Sequence, residues 1–249
     1  MPEEDVIKEA LRIVETGQSQ QVVLRLLGGV AIGIRCPGAK NPAMARKYPD
    51  IDLAGFKKQG RAIRNLFSSL GYSPNEMFNA VRGGSRLMYF DLQNNRRVDI
   101  FLDSFEMCHK IDLRDRLTID PLTLPLADML ATKLQIFQTN AKDIKDIVTI
   151  LLDHDVGDSD KPDLINGGYL AKLCADDWGI YKTFTMVIGK TLASVDAFDL
   201  TPSQKETVKA RLKRISDLIE GEPKSTGWRI RARVGDRKSW YKLPEDMAE

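Results

Sequence analysis

Apolar residues recur at helical spacing from Val6 to Glu15, where Ile7, Ala10, Leu11 and Val14 share one face. The chain is therefore expected to open on a helix, ended by Gly17 and the polar Ser19-Gln20-Gln21. The pattern then changes. VVLRLL (Val22 to Leu27) is a β-branched apolar run that reads as a buried strand. Gly28-Gly29 follow it, and VAIGIR behind them fits one or two turns of helix. Residues 37–49 are loop-like, with three prolines and the basic residues Lys40, Arg46 and Lys47, Arg35 lying just upstream. DIDLAGF (Asp50 to Phe56) reads as a second strand with Pro49 at its edge. Arg61 to Leu70 carries Ile63, Leu66, Phe67 and Leu70 on one helical face, with Gly71 as C-terminal cap. RLMYFDL (Arg86 to Leu92) and RVDIFLD (Arg97 to Asp103) predict a hairpin across a turn-rich junction.

Beyond Asp120 the texture becomes helical. PLTLPLADMLATKLQIF predicts a helix opening at Thr123 near Pro125, and AKDIKDIVTILLD predicts the next. A polar break spans Asp155 to Asp163, and helical patterning returns over Tyr169 to Ser194 and Pro202 to Glu220. WRIRARV, from Trp228, alternates strictly and predicts a strand. The expected fold class is α+β: a mixed β-sheet with packed helices over residues 1–120, then a mainly helical region with a basic tail over 121–249.

A chain of 249 residues can bury a full core, and 43% hydrophobic with 29% charged residues describes a folded protein. The net charge of +2 supplies no global field for a polyanion, so any such recognition has to be local. Cys36, Cys108 and Cys174 are far apart and odd in number, which suits reduced thiols rather than disulfides. Cys108 and His109 are neighbours, but the two further ligands a zinc site needs are missing. The acidic N-terminus lacks a signal-peptide pattern and no stretch reaches membrane-span length, so a cytoplasmic protein with no membrane partner is expected.

The chemistry concentrates in three places. Asp50 and Asp52 are two apart on a strand, so both carboxylates leave the same face and need a cation between them. Hard oxygen ligands select Mg²⁺ or Mn²⁺. Asp99, flanked by Val98 and Ile100, is the third candidate. Three carboxylates from adjacent strands can hold two metals about 3.5–4 Å apart for in-line displacement at phosphorus. A salt bridge from Asp99 to Arg96 or Arg97 is the competing explanation, and Asp91 and Asp103 are alternative third ligands. Gly28-Gly29, between a strand and a helix, lets backbone N–H groups approach a phosphate.

LLGGVAIGI, DIDLAGF and RVDIFLD, in that order, resemble the nucleotidyltransferase superfamily of the polymerase β type, nearest its minimal, AbiEii-like and toxin-type bacterial branch. LPLADMLATKLQIFQTNAKDIKDIVTILL is similar to that branch's helical segment, and the resemblance covers about residues 20–153. It implies metal-dependent transfer of a nucleoside monophosphate from a nucleoside triphosphate, ATP among the candidates, with release of pyrophosphate. The acceptor stays open between an RNA end such as tRNA, a protein side chain and a small molecule such as an aminoglycoside.

By the same resemblance, Gly28 and Gly29 hold the triphosphate, Asp50, Asp52 and Asp99 bind the metals, and Lys133 reaches the phosphates as a point charge. The resemblance also implies Asp99 as a candidate to accept the acceptor's proton. An antitoxin partner is a further implication. The chain departs from the pattern in lacking the common serine after the first glycine and the arginine-serine before the paired aspartates, where Tyr48-Pro49 stand. Asp143 and Asp146, at i and i+3, read as surface ion pairs and packing determinants rather than catalytic acids. A non-catalytic nucleotide- or RNA-binding module is the alternative class. For the latter, the tail's Arg229, Arg231 and Arg233, interleaved with Trp228, Trp240 and Tyr241, offer phosphate and base contacts.

Overall fold

The computed structural model describes residues 2–243 and is α+β, with a mixed sheet and many helices. The chain divides into two compact units. The first comprises residues 1–35, 46–106 and 111–124; the second comprises residues 36–45, 107–110 and 125–249.

In the first unit, helix α1 (Val6–Ser19) is capped by Asp5, whose side chain accepts from the N–H groups of Ile7 and Lys8. It runs through Gly17 rather than stopping there. A Cβ at Gly17 would lie 3.0 Å from the Val22 carbonyl oxygen, so the glycine serves close backbone approach inside the helix. Strand β1 (Leu24–Leu27) passes directly into α2 (Gly28–Arg35). Then come β2 (Asp50–Gly55), α3 (Gly60–Ser69), β3 (Ser73–Pro74), α4 (Glu76–Arg82), β4 (Arg86–Asp91) and β5 (Arg96–Leu102). Helix α4 is too short and irregular for periodicity to reveal it. Its start is set by Asn75, whose side chain accepts from the Phe78 N–H.

The sheet order is β1-β2-β5-β4-β3, with β2 and β5 parallel and the other neighbours antiparallel. Ile51, Leu53, Val98 and Ile100 are fully buried and alternate with the polar residues of β2 and β5. Leu122 to Leu124, expected to begin a helix, instead pair with β1. The Leu26 N–H donates to Leu122 O at 3.0 Å, and the Leu124 N–H returns to Leu26 O at 2.9 Å. Pro125 disfavours helical geometry at Leu124, so the helix cannot begin upstream, and the proline itself stands as the cap of Leu126–Leu134.

The second unit holds α5 (Leu126–Leu134), α6 (Ala141–Asp153), α7 (Gly167–Asp176), α8 (Trp178–Ser194), α9 (Pro202–Gly221) and α10 (Thr226–Val234). The Tyr169–Ser194 stretch is two helices, because Asp177 leaves helical geometry and caps α8 through the Ile180 N–H. Helix α10 corrects the strand expected for WRIRARV. Ser225 caps it by accepting from the Trp228 N–H, and Arg and Ala favour helix once it has started. No helix among the described residues is long and apolar enough to cross a membrane.

Cys108 and His109 are packing residues of this unit. The Cys108 sulfur accepts from the Phe137 N–H at 3.4 Å, and His109 Nε2 lies 2.7 Å from Thr183 Oγ1. Burial pushes the His109 imidazole down from its ordinary value, against the pull of Asp177. The folded state thus keeps His109 neutral where the unfolded chain takes up a proton. Its stabilising contribution is complete above about pH 6.5 and is lost as the pH falls below that value. All three tryptophans, Trp178, Trp228 and Trp240, belong to the second unit, so their fluorescence reports its unfolding. The urea midpoint should drop more between pH 7.5 and pH 5.5 in the wild type than in His109→Gln. Equal drops would remove His109 as the cause.

Candidate active site on the β2–β5 face

Alternation along β2 buries Ile51 and Leu53 and turns Asp50 and Asp52 to the opposite face, where both are partly exposed. In the parallel β2–β5 ladder Asp50 pairs with Arg97 and Asp52 with Asp99. Registered residues of neighbouring strands sit about 4.8 Å apart, and alternate residues of one strand about 6.6 Å apart. Asp50, Asp52, Arg97 and Asp99 therefore form one compact quadrilateral on a single sheet face.

Gly28 closes the site on the other side. Its backbone is left-handed (φ +68°), and a Cβ there would overlap Asp52 Oδ2 and lie 3.1 Å from Asp52 Cγ. The absent side chain is what allows the Asp52 carboxylate to rest against the start of α2. Helix α2 packs on β1 and β2, so its first N–H groups and positive end stand beside that carboxylate. At Gly29 a Cβ would lie 2.8 Å from Arg46 Cζ, and at Gly33 it would lie 2.6 Å from the Tyr48 hydroxyl. Arg46 in turn covers the Tyr48 ring at 5.1 Å. The basic loop before β2 thus folds back over the glycine turn and brings a guanidinium to it.

Asp99 is fully buried and is met by two arginines. Arg86 Nε donates to Oδ1 at 2.9 Å, and Arg97 Nε lies 2.8 Å from Oδ2. Arg97 also reaches Asp50, with Nη2 3.8 Å from Oδ2. The salt bridge weighed against a metal role at Asp99 is therefore formed, through Arg97 and not Arg96. Arg96 pairs with Asp91 at 2.7 Å inside the hairpin, and Asp103 accepts from the Lys57 N–H at 2.9 Å. Both alternative third carboxylates are engaged elsewhere.

Among the described residues no three His, Cys, Asp or Glu side chains converge as a ready-made metal-holding group. Backbone register brings the aspartate trio together, while Arg97 stands between two of its members. The donor set still suits a hard divalent cation: three carboxylates at adjacent register positions, one of them lodged in a cradle that any Cβ would fill.

No family model matches the chain, and no curated protein matches it. The functional reading thus stands on the residues themselves.

Lys133 lies in the second unit, with its ammonium 2.9 Å from Asp146 and 3.2 Å from Asp143. It ties α5 to α6, and Asp146 is almost fully buried rather than on the surface. The tail aromatics are likewise packed. Tyr241 stacks on Phe137 at 3.9 Å, Trp240 meets Trp178 edge-on, and Trp228 meets Tyr181 edge-on. Arg231 covers Trp178 at 4.6 Å and donates to the Gly235 and Lys238 carbonyls. The helix also spreads Arg229, Arg231 and Arg233 about 200° apart in succession, so they do not form the single basic face a strand would present.

Sequence reasoning missed Arg46, Arg86 and Arg97 as site residues. The signal for Arg97 was present: it precedes Asp99 by two, the same spacing that paired Asp50 with Asp52. Arg46 carried no local signal, because only the loop's path brings it to Gly29.

Proposed function

We propose that the β2–β5 face is the active site of a metal-dependent nucleotidyltransferase that moves a nucleoside monophosphate from a nucleoside triphosphate to an acceptor hydroxyl. The observation carrying this reading is the registration of Asp50, Asp52 and Asp99 on one face, with Asp52 seated against the Gly28 turn. The polymerase β-type nucleotidyltransferase fold is part of the same proposal, supported by the order of strand, glycine turn, helix, paired-carboxylate strand and third-carboxylate strand.

In this reading Asp50, Asp52 and Asp99 hold Mg²⁺ or Mn²⁺. When bound, the metal stabilises charge developing on the phosphate and lowers the pKa of the attacking hydroxyl. The Gly28 and Gly29 N–H groups bind the triphosphate at the start of α2, and Arg46 adds a charged donor there. The acceptor oxygen attacks the α-phosphorus and loses its proton to the Asp99 carboxylate. The bond to the β-phosphate oxygen breaks, and pyrophosphate leaves. Arg46 supplies contacts that the missing serine and arginine-serine would otherwise make. Arg46→Ala should raise KM for the triphosphate about tenfold and change kcat less, since it removes binding and not the reacting groups. An unchanged KM in initial-rate measurements would take Arg46 out of the site.

The engagement of Asp99 by two arginines favours a second reading, a nucleotide- or RNA-binding module without catalysis that could serve in a toxin–antitoxin pair. Incubation with each α-labelled nucleotide, Mg²⁺ and cell extract separates the two. Label on tRNA, on protein or on a small molecule, absent with Asp52→Ala, supports transfer and names the acceptor class. Nucleotide binding with no label from any of the four supports the module.

A further inference from the structure

Asp99 is held by two cations that are fixed in different ways. Arg86 reaches it across the β4–β5 ladder with its guanidinium against two aromatic rings, 5.5 Å from the Phe78 centroid and 4.9 Å from that of Phe101. Its side chain is 15% exposed. Ring faces on either hand and a buried carboxylate ahead make it a permanent partner. Arg97 comes from the same strand as Asp99, two residues earlier and on the same face, and its side chain is 36% exposed. Its guanidinium spans two carboxylates, 2.8 Å from Asp99 Oδ2 and 3.8 Å from Asp50 Oδ2. That is where a cation shared by Asp50 and Asp99 would lie.

We propose that Arg97 is a built-in counter-ion of the metal site. It neutralises the Asp50–Asp99 pair in the nucleotide-free protein and yields the position to a divalent cation when the triphosphate gives its guanidinium another anion. The inference rests on the nucleotidyltransferase reading above. Its logic is charge balance. Three carboxylates face Arg97 and Arg86 directly and Arg46 at the adjoining glycine turn, which leaves no net negative charge to draw a hydrated dication. Withdrawing Arg97 restores one net negative charge and frees the facing oxygens of Asp50 and Asp99 for a divalent ion. A buried Asp99 stripped of both cations would be costly, and Arg86, which stays, prevents that. Metal and nucleotide thereby become coupled ligands: each favours the arrangement in which Arg97 has left the carboxylates, so each strengthens binding of the other.

The test measures Mn²⁺ affinity from the electron paramagnetic resonance signal of the free ion, without turnover. Wild type, Arg97→Gln, Arg97→Lys and Asp52→Asn are compared, each alone and with a non-hydrolysable α,β-imido ATP analogue. Arg97→Gln should bind Mn²⁺ alone about tenfold or more tightly than wild type, because one full charge has left the site. Arg97→Lys should fall between them, keeping the charge but losing the fork that spans both carboxylates. The analogue should strengthen Mn²⁺ binding more in wild type than in Arg97→Gln. If Arg97→Gln does not fold, the order of Arg97→Lys above wild type carries the test. Equal or weaker Mn²⁺ binding by the Arg97 variants, with Asp52→Asn still impaired relative to wild type, overturns the counter-ion and leaves the enzyme reading standing. No Mn²⁺ binding by wild type even with the analogue sinks both.

Discussion

Asp52→Asn should lower nucleotidyl transfer about a thousandfold or more while leaving the protein folded. The substitution is isosteric and removes one charge from a residue registered with Asp99 and seated against Gly28. Asp52 is the one carboxylate that adjoins both the third aspartate and the glycine turn, so its loss separates metal from triphosphate. A thousandfold is about 4 kcal/mol of transition-state stabilisation, in line with removing a group that acts on developing charge. Stability should change far less, because Asp52 is partly exposed; a shift of a few degrees in melting corresponds to about 1 kcal/mol in a chain of this size. Circular dichroism melting and initial rates, measured on one preparation, give both numbers. Activity within tenfold of wild type would mean that Asp52 does not hold the metal.

Gly28→Ala should be the most damaging single-atom change in the first unit. A left-handed backbone costs a non-glycine residue about 1–2 kcal/mol, and the added methyl would occupy the space of the Asp52 carboxylate. Asp52 cannot step aside cheaply, because its own Cβ would lie only 3.3 Å from the new atom. The expected result is lower melting by several degrees together with transfer reduced about a hundredfold or more, since the displaced carboxylate is also a metal ligand in this account. Gly29→Ala provides the contrast. Its methyl would meet the end of the Arg46 side chain, which is long and can move, and the Tyr48 ring at 3.0 Å, which must give by a few tenths of an ångström, so melting should shift less than for Gly28→Ala while triphosphate KM rises. Equal effects of the two substitutions would show that the glycine turn is generically intolerant and that Asp52 has no special place beside it.

Much of the first unit was legible because its signals are local. Period-two alternation placed Asp50 and Asp52 on one face and Asp99 in a hairpin strand, and the glycine pair marked the turn. The parallel pairing of β2 with β5, which aligns Asp52 with Asp99, was only a possibility in the sequence. What escaped depends on chain segments remote from one another. Leu122 to Leu124 look helical by composition, yet β1 captures them as a strand partner before Pro125 lets α5 begin. WRIRARV alternates as a strand would, but seven residues are too few to separate the two periods, and the Ser225 cap was the better guide. Arg46 reaches Gly29 through a loop whose course no periodicity encodes. The resemblance makes Lys133 a phosphate ligand, whereas in the folded second unit its ammonium lies against Asp143 and Asp146.

The most direct test of the central claim is a paired labelling experiment with one nucleoside triphosphate carrying its label on the α- or the γ-phosphate. Protein, Mg²⁺ and cell extract are held constant, and Asp52→Asn serves as control. The account predicts acceptor label from the α-position, none from the γ-position, and none from either with the variant. Label transferred from the γ-phosphate, or no transfer from the α-phosphate of any of the four nucleotides, would contradict it.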